Sequence, residues 1–246
     1  MNNKIIKRES GRKTSQARNV NILQGYIKNA DASCLISIGD TSVVCTASLE
    51  RTVPNWLKGS GKGWLTAEYG MIPAATHTRN NRESSKGKQT GRTLEIQRLI
   101  GRSLRAALDL NKLNEMQIKI DCDVLNADGG TRTASITGGW VVLWLLINSL
   151  LEQKVLEESP ILNQIAAISC GIYKGKELLD LDYFEDSNAE IDANFIISKP
   201  SNLIEVQATA EKGNFSKKQL YLLTDMACEE CDKLFEIQSK AIKNEK

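Results

Sequence analysis

Residues 128–139 read Asp-Gly-Gly-Thr-Arg-Thr-Ala-Ser-Ile-Thr-Gly-Gly and run straight into the apolar stretch Trp140–Leu151. This junction constrains the fold more than any other feature. The apolar stretch predicts a buried helix over 138–151, entered from a polar, glycine-rich loop. Adjacent glycines let a backbone approach a ligand closely, and Arg132 adds a permanent charge with a fork of N–H donors. Thr131, Thr133, Ser135 and Thr137 add hydroxyl groups. A polar loop feeding a helix N-terminus favours an anion, because unpaired N–H groups and the helix dipole both point there. The Gly-x-x-x-x-Gly-Lys-[Ser/Thr] pattern of a nucleoside triphosphate loop is absent.

The chain has 246 residues, 41% hydrophobic and 25% charged, as an ordinary globular protein does. Its net charge of +2 hides a strong polarity. Arg79–Arg105 carries eight bases against two acids, whereas Lys176–Asp192 carries seven acids against one base. Two solvated, mutually balancing faces would give the same pattern. One histidine, His77, and a single Cys228-x-x-Cys231 argue against a zinc site. The N-terminus shows no secretory pattern, and Trp140–Leu151 is shorter than the roughly 20 residues a bilayer span needs. The expectation is a reducing cytoplasmic protein without membrane contact.

Strand signals at Cys34–Ile38 and Val43–Leu49 flank a turn at Gly39-Asp40-Thr41. Gln117–Leu125 alternates apolar Ile118, Ile120, Cys122 and Val124 with polar Lys119, Asp121 and Asp123, as a half-buried strand does. Further strands are expected at Ile165–Tyr173, Leu178–Tyr183, Ile191–Ile197 and Leu203–Ala208, with an acidic turn at 184–190. Leu94–Leu108 has helical periodicity, with Leu94, Leu99, Ile100, Leu104 and Leu108 as the apolar stripe. Arg98, Arg102 and Arg105 share one face of that helix. Ser216-x-x-Gln219 is a capping box opening a C-terminal helix over 216–242. Residues 1–20 form a basic N-terminal segment, an arm or an edge, and His77–Gly91 forms an exposed loop. With no linker or repeat, the expectation is a single domain over 1–246 of the α+β class.

Three constellations carry chemistry. The first is the Gly129–Thr133 loop with Arg132, joined by Arg92 in the first turn of the arginine-bearing helix. The second is Asp186 with Asp192, an oxygen-rich pair suited to Mg²⁺ or Mn²⁺. Asp192 lies between Ile191 and Ala193, so its charge sits in a strand that otherwise seeks a core. The third is the basic block, where Arg98, Arg102 and Arg105 with Arg79, Arg82, Lys86 and Lys88 suit nucleic-acid phosphates. No Gly-x-Ser-x-Gly elbow occurs, and the lone histidine gives no nucleophile dyad.

These segments resemble bacterial ribonuclease PH, the family of phosphate-dependent 3′→5′ exoribonucleases that trim tRNA precursors. The matching runs are residues 63–71, 76–80, 91–102, 121–125, 128–138, 185–187 and 204–207. The resemblance implies a ribosomal-protein-S5-domain-2-like fold with two pseudo-related βαβ halves, and a homohexameric ring built as a trimer of dimers. It implies that Arg92, Gly130, Thr131 and Arg132 bind inorganic phosphate as co-substrate. It implies that Asp186 and Asp192 are the catalytic acids and hold a divalent metal, Mg²⁺; Asp186 is open to a second role, general acid. It implies that Arg79 and Arg82 engage precursor tRNA. The chain departs from relatives at Ala74, where they often carry another arginine. Two rivals remain: a non-catalytic RNA-binding subunit of the same fold, and a hydrolytic nuclease using water.

Overall fold

The computed structural model describes residues 8–243. Lys4 and Lys7 of the basic N-terminal segment lie outside the described residues. The first sheet contains β1 (Val20–Gln24), β2 (Ala32–Ile38), β3 (Thr41–Glu50), β4 (Trp64–Met71) and β5 (Gln117–Asn126), in the order β1-β2-β3-β5-β4. A tight turn at Gly39-Asp40 pairs Ile38 with Thr41, which fixes the β2–β3 register. All pairs are antiparallel except β4–β5, because α1 (Gly91–Arg105) carries the chain back across the sheet between them.

The second sheet is antiparallel in the order β7-β6-β8-β9, from β6 (Ile165–Tyr173), β7 (Lys176–Leu179), β8 (Ile191–Ser198) and β9 (Asn202–Ala210). Helix α2 (Thr131–Glu152) packs on β2 and β3 of one sheet and on β6 of the other. Helix α4 (Lys217–Lys243) covers β6 and touches β1. Its capping box forms: Gln219 N–H donates to Ser216 Oγ (3.2 Å), and Ser216 N–H donates to Gln219 Oε1 (2.9 Å).

Helix α2 begins at Thr131, earlier than the predicted 138. Its 22 residues are long and apolar enough to cross a bilayer, unlike the shorter run read from sequence. Within its most apolar window 72% is buried inside the fold, so it is a core helix. The early hydroxyls are therefore helical. Ser135 Oγ donates to Thr131 O (2.8 Å), and Thr137 Oγ1 bonds Ala167 on β6 through both N–H and C=O (3.1 and 3.3 Å). On α1 the buried face is Ile96, Leu99, Ile100 and Leu104; Leu94 is 46% exposed.

The expected strand 178–183 ends at Leu179, and a short helix α3 (Tyr183–Asn188) replaces the acidic turn. Asp182 nucleates it. Its carboxylate accepts the Glu185 N–H (3.0 Å), while Glu185 accepts the Asp182 N–H (3.2 Å).

The acidic segment is not a solvated face. The Arg8 guanidinium is buried and forks onto Glu185 (2.6 and 2.5 Å). Arg12 bonds Asp180 and Asp182 (3.1 and 3.2 Å), and Arg18 bonds Asp180. Arg8, Arg12 and Arg18 of the basic N-terminal segment thus close over their own chain's acids.

Candidate active site

A cleft of about 1150 Å³ opens beside the α2 N-terminus. Gly129 and Gly130 precede that helix at φ +76° and +69°, in the left-handed region. A Cβ on Gly129 would lie 2.5 Å from the Leu181 carbonyl, so only glycine fits there. Gly130 is the N-cap, and no side chain caps the helix, which leaves its first N–H groups for a ligand. Thr131 Oγ1 is fixed by the Tyr69 hydroxyl (2.8 Å). Arg132 is held by Gln207 (3.3 Å) and Glu95 (3.5 Å), with its guanidinium on the cleft wall. Arg92 reaches the same cleft from the first turn of α1, whose N-cap Thr90 accepts the Thr93 N–H (3.3 Å). Among the described residues Arg92 makes no hydrogen bond or ion pair, so its fork is available to an anion.

Asp186 on α3 and Asp192 on β8 face these arginines across the cleft. Their carboxylates have no ion-pair partner among the described residues; Asp192 only accepts a long bond from Asn194 Nδ2 (3.5 Å). Burial raises both carboxyls above the ordinary range, while Arg92 and Arg132 pull them down. At Asp192 burial, then the like charge of Asp186, pushes the value up to about 6.

The donor set fits Mg²⁺ as such sites usually hold it, by two carboxylates with water and substrate oxygens completing the shell. Geometry supports the fit: two half-buried carboxylates line one cleft with no ion-pair partner among the described residues, and such a pair gains from a cation. No cluster of three or more acidic, histidine or cysteine ligands exists among the described residues, so an all-protein cage is not what this site offers.

Arg79 and Arg82, in the long loop before α1, also line the cleft. Arg98 does not; it is exposed on α1, away from the lining. The rest of its expected stripe is engaged elsewhere. Arg102 forks onto Glu205 (2.7 Å for Nε), and Arg105 sits 4.5 Å over the Trp64 ring and donates to the Leu65 carbonyl (2.9 Å). Ala74 is exposed and outside the cleft. Sequence reasoning did not single out Tyr69, Ser169, Tyr183 or Asn194, which line the cleft. Nor did it see that Arg18 lies under the glycine loop, since nothing in local spacing marks a contact between residues 18 and 129.

Two family models match the chain: "3′ exoribonuclease family, domain 1" over residues 16–145 and "3′ exoribonuclease family, domain 2" over 163–230. The chain belongs to the 3′ exoribonuclease family. In that family frame the cleft draws on both domains: Arg92 and Arg132 come from the first, Asp186 and Asp192 from the second. The fold is the α+β ribonuclease PH fold, and solved structures share it. Rice (Oryza sativa) Rrp46 is 16% identical with a TM-score of 0.77, covering 96% of this chain and all of that one. A chain of the Archaeoglobus fulgidus exosome with RNA bound to the active site is 23% identical with a TM-score of 0.78, covering 94% and 92%. A chain of an archaeal exosome core is 22% identical with a TM-score of 0.74, covering 95% and 91%. At these identities the likeness concerns fold alone.

Proposed function

We propose that this family member is a phosphate-dependent exoribonuclease of the bacterial ribonuclease PH kind, trimming the 3′ ends of tRNA precursors in the cytoplasm as a homohexameric ring. One observation carries the reading. A cationic cradle (Arg92, Arg132 and the α2 N-terminus) faces an acidic pair (Asp186, Asp192) that has no ion-pair partner among the described residues, across one cleft. A hydrolytic enzyme needs no anion cradle apart from the RNA path. An inert scaffold needs no carboxylates held above their ordinary range.

In this reading Arg92, Arg132 and the free N–H groups hold inorganic phosphate in line with the last phosphodiester. A phosphate oxygen attacks that phosphorus. The bond to the 3′-oxygen of the preceding nucleotide breaks, and that oxygen takes a proton. The products are a nucleoside diphosphate and RNA shortened by one residue, and the reverse addition is accessible. Two anions must meet, so positioning and charge neutralisation dominate. Mg²⁺ bound by Asp186 and Asp192 would supply stabilisation of negative charge on the transferring group. Arg79 and Arg82 on the cleft wall would neutralise RNA phosphates.

The test incubates the protein with RNA bearing a free 3′ end and Mg²⁺, with and without inorganic phosphate. Nucleoside diphosphates released only with phosphate are expected. Monophosphates released without it would overturn phosphorolysis, and inactivity in every arm would favour the scaffold.

A further inference from the structure

Building on the phosphate-site reading above, we propose that Arg18 is a positioning residue that locks the Gly129–Gly130 loop to the segment leading into α3 and Asp186. The Arg18 side chain is 7% exposed and comes from the basic segment just ahead of β1. Its guanidinium lies between two stretches of chain that are far apart in sequence. Towards the loop, Nη1 donates to the Asp128 carbonyl and Nη2 to the Gly129 carbonyl (3.4 Å). Towards α3, Nε and Nη2 fork onto the two carboxylate oxygens of Asp180 (2.9 and 2.7 Å), and Nη2 reaches the Leu181 carbonyl (3.4 Å). The Arg18 backbone N–H also donates to Asp180 (2.7 Å).

Both stretches need such a tie. The loop has two consecutive left-handed glycines, which are the positions with most conformational freedom to lose. Asp180 is itself left-handed at φ +53°, an uncommon conformation for a non-glycine residue, with a side chain only 1% exposed. Tyr183 N–H, at the start of α3, donates to Asp128 Oδ1 (3.2 Å) and closes the circuit from loop to helix. One planar cation thus underlies both the cradle and the element carrying Asp186. Only a guanidinium can make the fork and reach three carbonyls at once; an ammonium keeps the charge but not the plane. Asp180, which Arg12 also binds, and Asp128 hold the Arg18 guanidinium, and Arg18 does not line the cleft, so it acts through the loop and is not itself an anion ligand. Misplacement of a reacting group by about 1 Å can cost about 100-fold in rate.

Arg8 provides the control. It is buried in the same cluster, but it bonds Glu185 and the carbonyls of Lys13, Gln16, Leu179 and Asp180, with no hydrogen bond to residues 128–130. The experiment compares full-length Arg18→Lys and Arg8→Lys for phosphorolysis at varied phosphate and RNA, together with amide hydrogen exchange at residues 129–133. Arg18→Lys should raise the KM for phosphate about tenfold or more, keep RNA affinity within about twofold, and speed exchange in the loop. Arg8→Lys should leave the phosphate KM within about twofold, whatever its loss of melting temperature. An unchanged phosphate KM in Arg18→Lys overturns the proposal. So does an equal rise in Arg8→Lys, which would mean general loosening. If Arg18→Lys does not fold, the double variant Arg18→Gln, Asp180→Asn removes both charges together; a wild-type phosphate KM there overturns the proposal as well. If the wild type shows no phosphate-dependent turnover, the functional reading fails by itself. Loop exchange in the variants then decides this inference alone.

Discussion

Replacing Asp192 with Asn should stabilise the metal-free protein above pH 6 while abolishing turnover. Partial burial, and then the nearby charge of Asp186, pushes the Asp192 carboxyl up to about 6 in the fold against an ordinary 3.8. Between those two values the folded state binds more protons than the unfolded chain, so this group makes stability fall as pH rises through the window. Below about pH 4 both states are protonated and the group contributes nothing. Above about pH 6 the penalty is complete; at about 1.4 kcal/mol per pH unit across that window it reaches at most about 3 kcal/mol. Solvent at the open side of the cleft trims this to about 1–3 kcal/mol. The asparagine removes the penalty and keeps an oxygen that can accept the long hydrogen bond from Asn194 Nδ2. For a chain of this length that corresponds to a melting temperature about 2–6 °C higher. The assay is thermal unfolding of both proteins at pH 4 and pH 8 in chelator without phosphate, with a separate binding measurement to establish that RNA is still held. A gap that opens only at pH 8 is expected. Adding Mg²⁺ at pH 8 should then stabilise the wild type and not the variant, by mass action on the folded state. An asparagine protein no more stable than wild type at pH 8, or a gap identical at both pH values, would refute the electrostatic account of the pair. Near-normal turnover would remove Asp192 from the chemistry.

Three further outcomes follow from the same geometry. Arg132→Ala should raise the KM for phosphate about tenfold or more while RNA affinity changes less than about threefold, since the side chain sits on the anion side of the cleft; equal losses in both measurements would argue against the cradle. Gly129→Ala should destabilise the fold by about 2 kcal/mol or more, because its φ is +76° and the new Cβ meets the Leu181 carbonyl at 2.5 Å; a chemical denaturation midpoint equal to wild type would contradict that packing. Ala74→Arg adds an exposed cation to the strand-to-loop turn ahead of Arg79 and Arg82, so RNA binding should tighten a few-fold at low salt and its log–log salt slope steepen by about 1; an unchanged slope would place position 74 outside the RNA path.

Local pattern showed much of the scaffold. The alternation of Ile118, Ile120, Cys122 and Val124 marks β5, and the Ser216–Gln219 box marks the start of α4, because both depend on neighbours in sequence. The start of α2 was obscured because threonine, serine and glycine are weak helix formers, so 131–137 read as a loop of free hydroxyls. In the fold Thr133 and Ser135 bond their own helix and Thr137 bonds β6. Helix α3 was hidden for another reason. Seven acids in seventeen residues look like a solvated turn, yet the arginines that bind Asp180, Asp182 and Glu185 lie more than 160 positions away, at 8, 12 and 18. No window of sequence contains both partners.

That long-range pairing sharpens the site. Charge density alone could not separate the cleft-facing acids of 176–192 from the structural ones. Once the N-terminal arginines take Asp180, Asp182 and Glu185, the half-buried Asp186 and Asp192 keep no ion pair and face the cleft. The same subtraction works on the basic side. Arg102 is engaged by Glu205, Arg105 by Trp64, and Arg98 lies off the cleft wall, which leaves Arg92 without a protein partner and Arg132 beside it on the wall. Buried charge is costly unless compensated. Half-buried Asp186 and Asp192, without an ion pair, therefore favour a cation, and in the proposed function the exposed fork of Arg92, with Arg132 beside it, takes the anion, the transferring phosphoryl group lying between.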